Sequence, residues 1–166
     1  IEKVGNITSR AVVLDLPGLR SVPWLEPGYT ITGADLEAAA SAHGVGVGAG
    51  DVVLIRTGYL DYWFSLTDRS QEFAQPGIGY DAFEYLRSHD VAAIGSDNAA
   101  VEVIPFDRND FLGVHIQALI KNGIYFLEHL NLRNLAADAV RECLLVVAPL
   151  LVTGATGSPI NPVAIA

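Results

Sequence analysis

The sequence is most informative in the stretch Gly113-Val-His-Ile-Gln-Ala-Leu-Ile-Lys-Asn-Gly-Ile-Tyr-Phe-Leu-Glu-His-Leu-Asn-Leu132. After His115, apolar residues recur at the spacing of a helix, and Lys121-Asn-Gly123 supplies the signals that end one. The apolar positions are Ile116, Leu119 and Ile120. A short apolar run from Ile124 to Leu127 then predicts a strand. The stretch therefore predicts a helix followed by a strand.

The lengths of these two elements bring one histidine and one glutamate to the same level. Eight helical residues advance the chain by about 12 Å, and five extended residues cover about 16 Å. A chain that reverses at Gly123 therefore carries Glu128 back towards His115. Both residue types ligate divalent metals and both transfer protons, which makes His115 and Glu128 the candidate catalytic and metal-ligating residues. The alternative is that one His and one Glu fall by chance in an ordinary αβ unit.

Length and composition predict one globular α/β domain over residues 1–166. Of the 166 residues, 51% are hydrophobic and 17% are charged, which is the composition of a chain that buries a core. The net charge of -9 and the scatter of the ten basic residues argue against nucleic acid as a partner. No apolar stretch approaches the roughly eighteen residues of a membrane span, and no leader sequence is recognisable. We therefore expect a small-molecule substrate as the partner.

Two residue counts bear on the setting of the chain. Cys143 is the single cysteine, so no disulfide can form within the chain. We expect a buried thiol in a reducing compartment, the cytoplasm. The sequence begins at Ile1 and contains no methionine. Unless it is naturally processed, we expect it to be part of a longer polypeptide.

Strands and helices are predicted to alternate along the rest of the chain. The predicted strands are Arg10 to Leu16, Val52 to Ile55, Val91 to Gly95, Leu144 to Val152 and Val163 to Ile165. The predicted helices are Leu36 to His43, Gly79 to His89 and Ala136 to Cys143. Thr32-Gly-Ala-Asp35 has the spacing of an N-terminal cap for the first helix. His43 and His89 are interpreted as helix-terminal residues, favoured there by the helix dipole.

Two loops invite a functional interpretation. Gly44-Val-Gly-Val-Gly-Ala-Gly50 is rich in glycine, but it follows a helix and precedes a strand, the reverse of the order in phosphate-binding loops. We interpret it as a connection. The segment from Leu60 to Ile78 is predicted to be irregular and contains many of the aromatic residues. Such a loop forms either the wall of a substrate site or a packing surface between subunits, and the sequence leaves both open.

Polar residues follow two predicted strands, at the position where α/β folds place ligands. Arg56-Thr-Gly-Tyr59 follows one strand, and Asp97 and Glu102 follow the next. One interpretation of these acids is a carboxylate near the site. The other is an Asx turn at Asp97-Asn98.

Four motifs occur in a recognisable order. They are Gly50-Asp-Val-Val-Leu-Ile-Arg-Thr-Gly58, Ala93-Ile-Gly-Ser-Asp-Asn-Ala-Ala-Val-Glu102, the pair His115 and Leu127-Glu128-x-Leu130-x-Leu132, and Gly154-Ala-Thr-Gly-Ser-Pro159. In this order they resemble the cyclase family of metal-dependent hydrolases, which includes bacterial kynurenine formamidases and isatin hydrolases. The resemblance runs along essentially the whole chain.

The resemblance implies a swivelling β/α/β fold, of which this chain would lack the N-terminal strands. It implies a divalent metal, commonly zinc or manganese, in sites near subunit interfaces, and so a homodimer or homotetramer. His115 and Glu128 match the late His and Glu of the family, which ligate the metal or line its site. Asp97 and Glu102 match a segment beside that site.

One motif of the family has no counterpart here. Members carry His-x-Gly-Thr-His-x-Asp-x-Pro-x-His upstream, which supplies three main metal ligands and a histidine that acts as base or acid; its expected place is before Ile1. A catalytic zinc has about three protein ligands, whereas this chain offers one pair. We therefore expect this chain alone to bind metal weakly or not at all and to be inactive. The apolar surface left by missing strands predicts association, and a partner carrying the motif could complete the site.

The activity implied by the resemblance is hydrolysis of an amide, either a formamide or a cyclic amide next to an aromatic ring, by a metal-activated water. One alternative is a metal-free scaffold or assembly domain of the same fold, without catalysis. Another is a cyclase that acts on a small carbon skeleton. The upstream motif in the natural gene would exclude the scaffold, and product analysis separates a cyclase from a hydrolase.

Overall fold

Strands of a mostly parallel sheet alternate with helices along the chain in this computed structural model, which describes residues 5–68, 70 and 73–166. The strands are β1 (Ile7–Asp15), β2 (Thr30–Ile31), β3 (Val52–Arg56), β4 (Gly77–Ile78), β5 (Ala93–Ser96), β6 (Tyr125–Leu127), β7 (Glu142–Val147) and β8 (Val163–Ile165). The α-helices are α1 (Leu16–Leu19), α2 (Gly33–His43), α3 (Tyr59–Ser65), α4 (Tyr80–Ser88), α5 (Gly113–His115) and α6 (Arg133–Ala137). A 3-10 turn covers Asp107–Asn109, and a π-helical segment, Ile116–Asn122, continues α5.

Six of these strands form one sheet in the order β6-β5-β3-β1-β7-β8. The pairs β1 with β3, β3 with β5 and β5 with β6 are parallel, whereas β7 is antiparallel to β1 and β8 to β7. The strands β2 and β4 form a separate parallel pair. Because the four strands from β6 to β1 are parallel, their carboxyl ends lie at the same edge of the sheet, which is where α/β folds bind ligands.

Apolar residues cover both faces of the central strands. Along β1, Val12 and Leu14 face the cluster formed with α2 and α4, while Ala11 and Val13 face the opposite cluster. The alternation follows the two-residue period of a strand. The sequence reads as continuous apolar runs because strands with helices or loops on both faces bury every side chain.

The α/β fold class and most of the predicted elements are confirmed. The predicted strands starting at Arg10, Val52, Val91 and Val163 correspond to β1, β3, β5 and β8, and the predicted helices ending at His43 and His89 correspond to α2 and α4. The glycine-rich stretch connects α2 to β3, and Gly44 ends α2 with a φ of 68°, a left-handed conformation that glycine adopts readily.

The predicted helix from Ala136 to Cys143 is wrong. The helix α6 ends at Ala137, and the chain turns through Ala139, whose φ is 52°. The residues that follow form β7 and pair with β1, with Cys143 opposite Ala11. The sheet pairing overrides the helix preference of the alanines, and the strand predicted from Leu144 to Val152 accordingly starts and ends earlier. Cys143 is buried, as predicted, and burial raises the pKa of its thiol.

Two other expectations need correction. The aromatic segment predicted to be irregular begins as the helix α3; residues 69, 71 and 72 lie outside the described residues.

In the segment after His115, the apolar side chains face outward: Ile116, Leu119 and Ile120 are 40, 41 and 77% exposed. The π-helical hydrogen-bond pattern is wider than that of an α-helix, so the spacing of a regular helix no longer marks the buried face. Val114 and Ala118 are buried there instead.

None of the helices in the described part of the chain is long and apolar enough to span a lipid bilayer.

The capping box of α2 gives a test of how the helix is held. Thr32 Oγ1 accepts a hydrogen bond from the Asp35 N–H at 3.2 Å, and Asp35 Oδ2 accepts one from the Thr32 N–H at 2.9 Å. We expect Thr32→Ala to lower the free energy of unfolding by about 1 kcal/mol, since it removes the cap. Urea unfolding measures this, with Ser41→Ala, at an exposed position of the same helix, as the control. Equal stability of the two variants would contradict the assignment.

Candidate functional site

His115 lies where an α-helical turn changes into the π-helical segment. Leu112 precedes α5 in a left-handed conformation, with a φ of 53°, and Gly113 and Val114 are buried. Gly113 lies so close to Tyr80 that a side chain at this position would clash with the phenol oxygen. The imidazole packs edge-on against Phe126, with ring centroids 4.8 Å apart. π-helical segments of this kind are frequent at functional sites.

Glu128 follows the carboxyl end of β6 and meets His115 there. The distance from His115 Nε2 to Glu128 Oε1 is 3.4 Å. The structure thus brings together the two residues that the sequence singled out, and it does so as predicted, by reversing the chain at Gly123, which adopts a φ of 68°. Their catalytic and metal-ligating roles stay predictions.

Glu102 holds the other side of the imidazole. Its side chain is 1% exposed, and its Oε1 lies 2.5 Å from His115 Nδ1. Its second oxygen, Oε2, accepts a hydrogen bond from the Val114 N–H at 3.1 Å. The sequence placed Glu102 beside the site without a role. The contact with His115 was missed because Glu102 lies in a loop, where no helical or strand period indicates which way a side chain points.

The two glutamates favour the charged form of His115. Burial lowers the pKa of the imidazole, but hydrogen bonds and charge attraction from Glu102 and Glu128 outweigh it and raise the pKa to about 9. At neutral pH, His115 is therefore an imidazolium between two carboxylates, with Nδ1 directed at the interior and Nε2 at the more exposed Glu128.

A cavity of about 360 Å³ opens beside this group. Its polar end is formed by His115 and Glu128, and part of its apolar wall by Leu119 and Phe126. Residues 155–158 of the C-terminal segment, which belong to the motif Gly154 to Pro159, also line the cavity. The cavity is large enough for a small aromatic molecule.

The aromatic residues of the segment from Leu60 to Ile78 lie elsewhere. Tyr59, Tyr62, Trp63 and Phe73 contact one another, and Trp24 joins them through Tyr62. None of these side chains is among the residues that line the cavity at His115.

Asp97 is buried and braces two strand ends. Its Oδ1 accepts hydrogen bonds from the Thr57 N–H at 2.8 Å and the Thr57 hydroxyl at 2.6 Å, and its Oδ2 accepts one from the Gly58 N–H at 2.8 Å. The neighbouring Asn98 makes a local contact, since its Oδ1 accepts a hydrogen bond from the Val101 N–H at 2.8 Å, three residues on rather than the two of the predicted Asx turn. Asp97 therefore fixes the β3 end to the β5 end.

The donor atoms around His115 make up only part of a metal site. Within residues 5–68, 70 and 73–166, no three His, Cys, Asp or Glu side chains are grouped so that they could hold a metal ion. His115 Nε2 and Glu128 Oε1 are a pair of donors, and the other imidazole nitrogen is taken by Glu102. The described residues therefore do not by themselves form a complete metal site.

Residues 2–103 match the family model Cyclase, described as "Putative cyclase". The chain belongs to the cyclase family. The matched range covers more than half of the sequence; it includes Glu102, while His115 and Glu128 lie beyond it. No curated protein sequence matches the chain.

Solved structures of cyclase-family proteins have the same fold. The structure of a novel cyclase is 33% identical, with a TM-score of 0.88, and the match covers 99% of this chain and 56% of that one. An isatin hydrolase bound to the product analogue thioisatinate is 26% identical, with a TM-score of 0.72 and coverage of 95% and 60%. A predicted metal-dependent hydrolase from Bacillus stearothermophilus, at 19% identity and a TM-score of 0.66, is similar in fold over 95% of this chain and 63% of its own. The chain thus spans about 56 to 63% of the length of these structures.

The charge state of His115 predicts a pH dependence of stability. Its pKa of about 9 lies above the ordinary 6.5, so folding favours the protonated form. The resulting stabilisation is complete below pH 6.5 and is lost as the pH rises through 9. We expect wild type to lose about 2 kcal/mol more than His115→Gln over this range, less than the full pKa shift would give, because solvent screens the pair with the exposed Glu128. Urea unfolding of both proteins measures the difference; parallel pH profiles would contradict the assigned charge.

Proposed function

We propose that this cyclase-family chain is part of a metal-dependent hydrolase that cleaves an amide bond. The observation that carries the proposal is the position of His115 Nε2, which faces Glu128 Oε1 at 3.4 Å beside a cavity that both residues line, while Nδ1 is held by the buried Glu102. One side of the imidazole is thereby fixed and the other is left for a reacting group.

The substrate class that we propose is a formamide or a cyclic amide next to an aromatic ring. The 26%-identical isatin hydrolase supports it, because isatin is a cyclic amide fused to a benzene ring. The cavity supports it as well: Phe126 offers an aromatic wall directly beside the imidazole, with ring centroids 4.8 Å apart. This wall replaces the aromatic segment around Tyr62 as the proposed contact for the substrate ring.

In this proposal, the two residues move protons at stated atoms. Glu128 Oε1 accepts a proton from the water that attacks the carbonyl carbon. His115 Nε2 donates its proton to the amide nitrogen, so that the C–N bond breaks with a neutral amine as leaving group. The imidazolium state at neutral pH supplies this proton, and the adjacent carboxylate regenerates it after each turnover.

Zinc or manganese is the metal that we propose for the complete site. His115 and Glu128 would line the metal site beside the metal-bound water, and the donors that hold the metal would come from outside the described residues. When bound, the metal would lower the pKa of its water and polarise the scissile carbonyl. Because His115 Nε2 carries the proton in this scheme, it is not itself a ligand of the metal. The chain alone is therefore proposed to bind metal weakly and to lack activity.

We also propose that the protein is a homodimer or homotetramer. Large apolar side chains near the site are exposed in the single chain: Phe111 is 72% and Ile120 is 77% exposed. Side chains of this kind are commonly buried when subunits associate.

The proposal is tested by hydrolysis of formanilide and isatin with the complete gene product, supplied with zinc or manganese. We expect His115→Gln and Glu128→Gln each to lower kcat/KM by at least about 100-fold, since each removes a proton-transfer group. His89→Gln is the matched control, because His89 ends α4 and bonds to the Tyr85 carbonyl oxygen.

Full activity in either site variant would contradict the proposal. Absence of hydrolysis and of metal in the wild-type protein would favour a non-catalytic scaffold. A ring-closed product would show a cyclase acting on a carbon skeleton instead.

A further inference from the structure

The strongest unused feature of the molecule is the buried loop from Ser96 to Val103, which carries Glu102. Four of its polar or charged side chains are almost fully buried: those of Ser96, Asp97, Asn98 and Glu102. Packing of this buried segment does not require a carboxylate, and burying one is unfavourable unless it is paired. Glu102 is paired with His115 and with the Val114 N–H.

The backbone on both sides of Glu102 is clamped. The Gln75 side chain, which is fully buried, donates from Nε2 to the Glu102 carbonyl oxygen at 2.9 Å and accepts the Ala99 N–H at its Oε1 at 3.0 Å. Gly77 lies against the same peptide, since a Cβ there would come within 2.4 Å of the Glu102 carbonyl carbon. These contacts fix the backbone at Glu102, so that its carboxylate points towards α5.

The loop also holds a strained residue. Val101 adopts a φ of 60°, a left-handed conformation that a β-branched side chain disfavours. Its N–H is held by Asn98 Oδ1 at 2.8 Å, and its side chain is buried. Strain of this kind persists where surrounding contacts over-determine the backbone, and it concentrates at functional sites. Here it turns the chain so that the next side chain, Glu102, points at His115.

We propose that Glu102 is the positioning residue of this site: its buried carboxylate accepts the hydrogen bond of the His115 Nδ1–H and so fixes the ring with Nε2 directed at Glu128. The hydrogen bond made by one ring nitrogen decides the state of the other. Glu128 cannot have this role, because it meets Nε2 and is more exposed. A role of Glu102 in catalysis rests on the proposed function. The position of the proton on the His115 ring does not depend on that function.

The test is the protonation state of the His115 ring in this chain, labelled with 15N-histidine. The chain has four histidines, and His115→Gln assigns the signals of interest. Two-bond 1H–15N correlations at about pH 10.5, where the ring is neutral, report which nitrogen carries the proton. We expect it on Nδ1 in wild type and in Glu128→Gln, and we expect Glu102→Gln to lose this fixed state and show a mixture. Glu84→Gln, at an exposed position on α4, is the control for labelling and folding.

A proton on Nε2 in wild type would overturn the proposal without any variant, so the result stands even where Glu102→Gln does not fold. An unchanged Nδ1 signal in folded Glu102→Gln would overturn it as well. In the complete gene product, we expect Glu102→Gln to lower activity or metal affinity about 10- to 100-fold. If the complete wild-type protein is inactive but its His115 carries the proton on Nδ1, the proposed function is contradicted and this inference stands. If the protein is active but the proton is not fixed on Nδ1, this inference is contradicted and the proposed function stands.

Discussion

A carboxylate that is 1% exposed needs a partner of opposite charge or strong hydrogen bonds, and in this chain Glu102 has both in His115 and the Val114 N–H. This requirement links two parts of the fold. The loop after β5 supplies the carboxylate, and α5 supplies the imidazole and the peptide N–H. Removal of either partner would leave the other buried and unsatisfied, which is costly in a protein interior. The orientation of α5, and with it the approach of His115 to Glu128, depends on this contact.

The parallel sheet places polar side chains at one edge, and these side chains have different contacts. Asp97, after β5, accepts hydrogen bonds from the backbone N–H groups of Thr57 and Gly58 with its two carboxylate oxygens. Glu128, after β6, stays more exposed and faces His115. The family match covers residues 2–103 and so includes three of the six strands of the main sheet and Glu102, whereas the proposed reacting pair lies in the remaining part of the chain. The matched part thus supplies Glu102, which fixes the imidazole, and the segment after it carries the proposed reacting pair.

The sequence predicted those features that depend on local pattern. The cap at Thr32 and the buried strand at Val52 follow from residue types at fixed spacing, and the meeting of His115 with Glu128 follows from the lengths of two elements. Features that depend on distant contacts were missed. Sheet pairing made a strand of the residues around Cys143, and Glu102 reached His115 through a loop whose path is set by Gln75 and Gly77. The exposed side of the π-helical segment was missed because its hydrogen bonding departs from that of a regular helix.

In the proposed reaction, His115 and Glu128 act as one unit. A double-mutant cycle tests this most directly, with hydrolysis of an aryl formamide by the complete gene product as the measured rate. If the two residues share one proton-transfer step, His115→Gln/Glu128→Gln loses little more activity than the worse single variant, since effects of residues that act together are not additive. If instead the two losses multiply, each residue acts separately, and the joint role of the pair is contradicted.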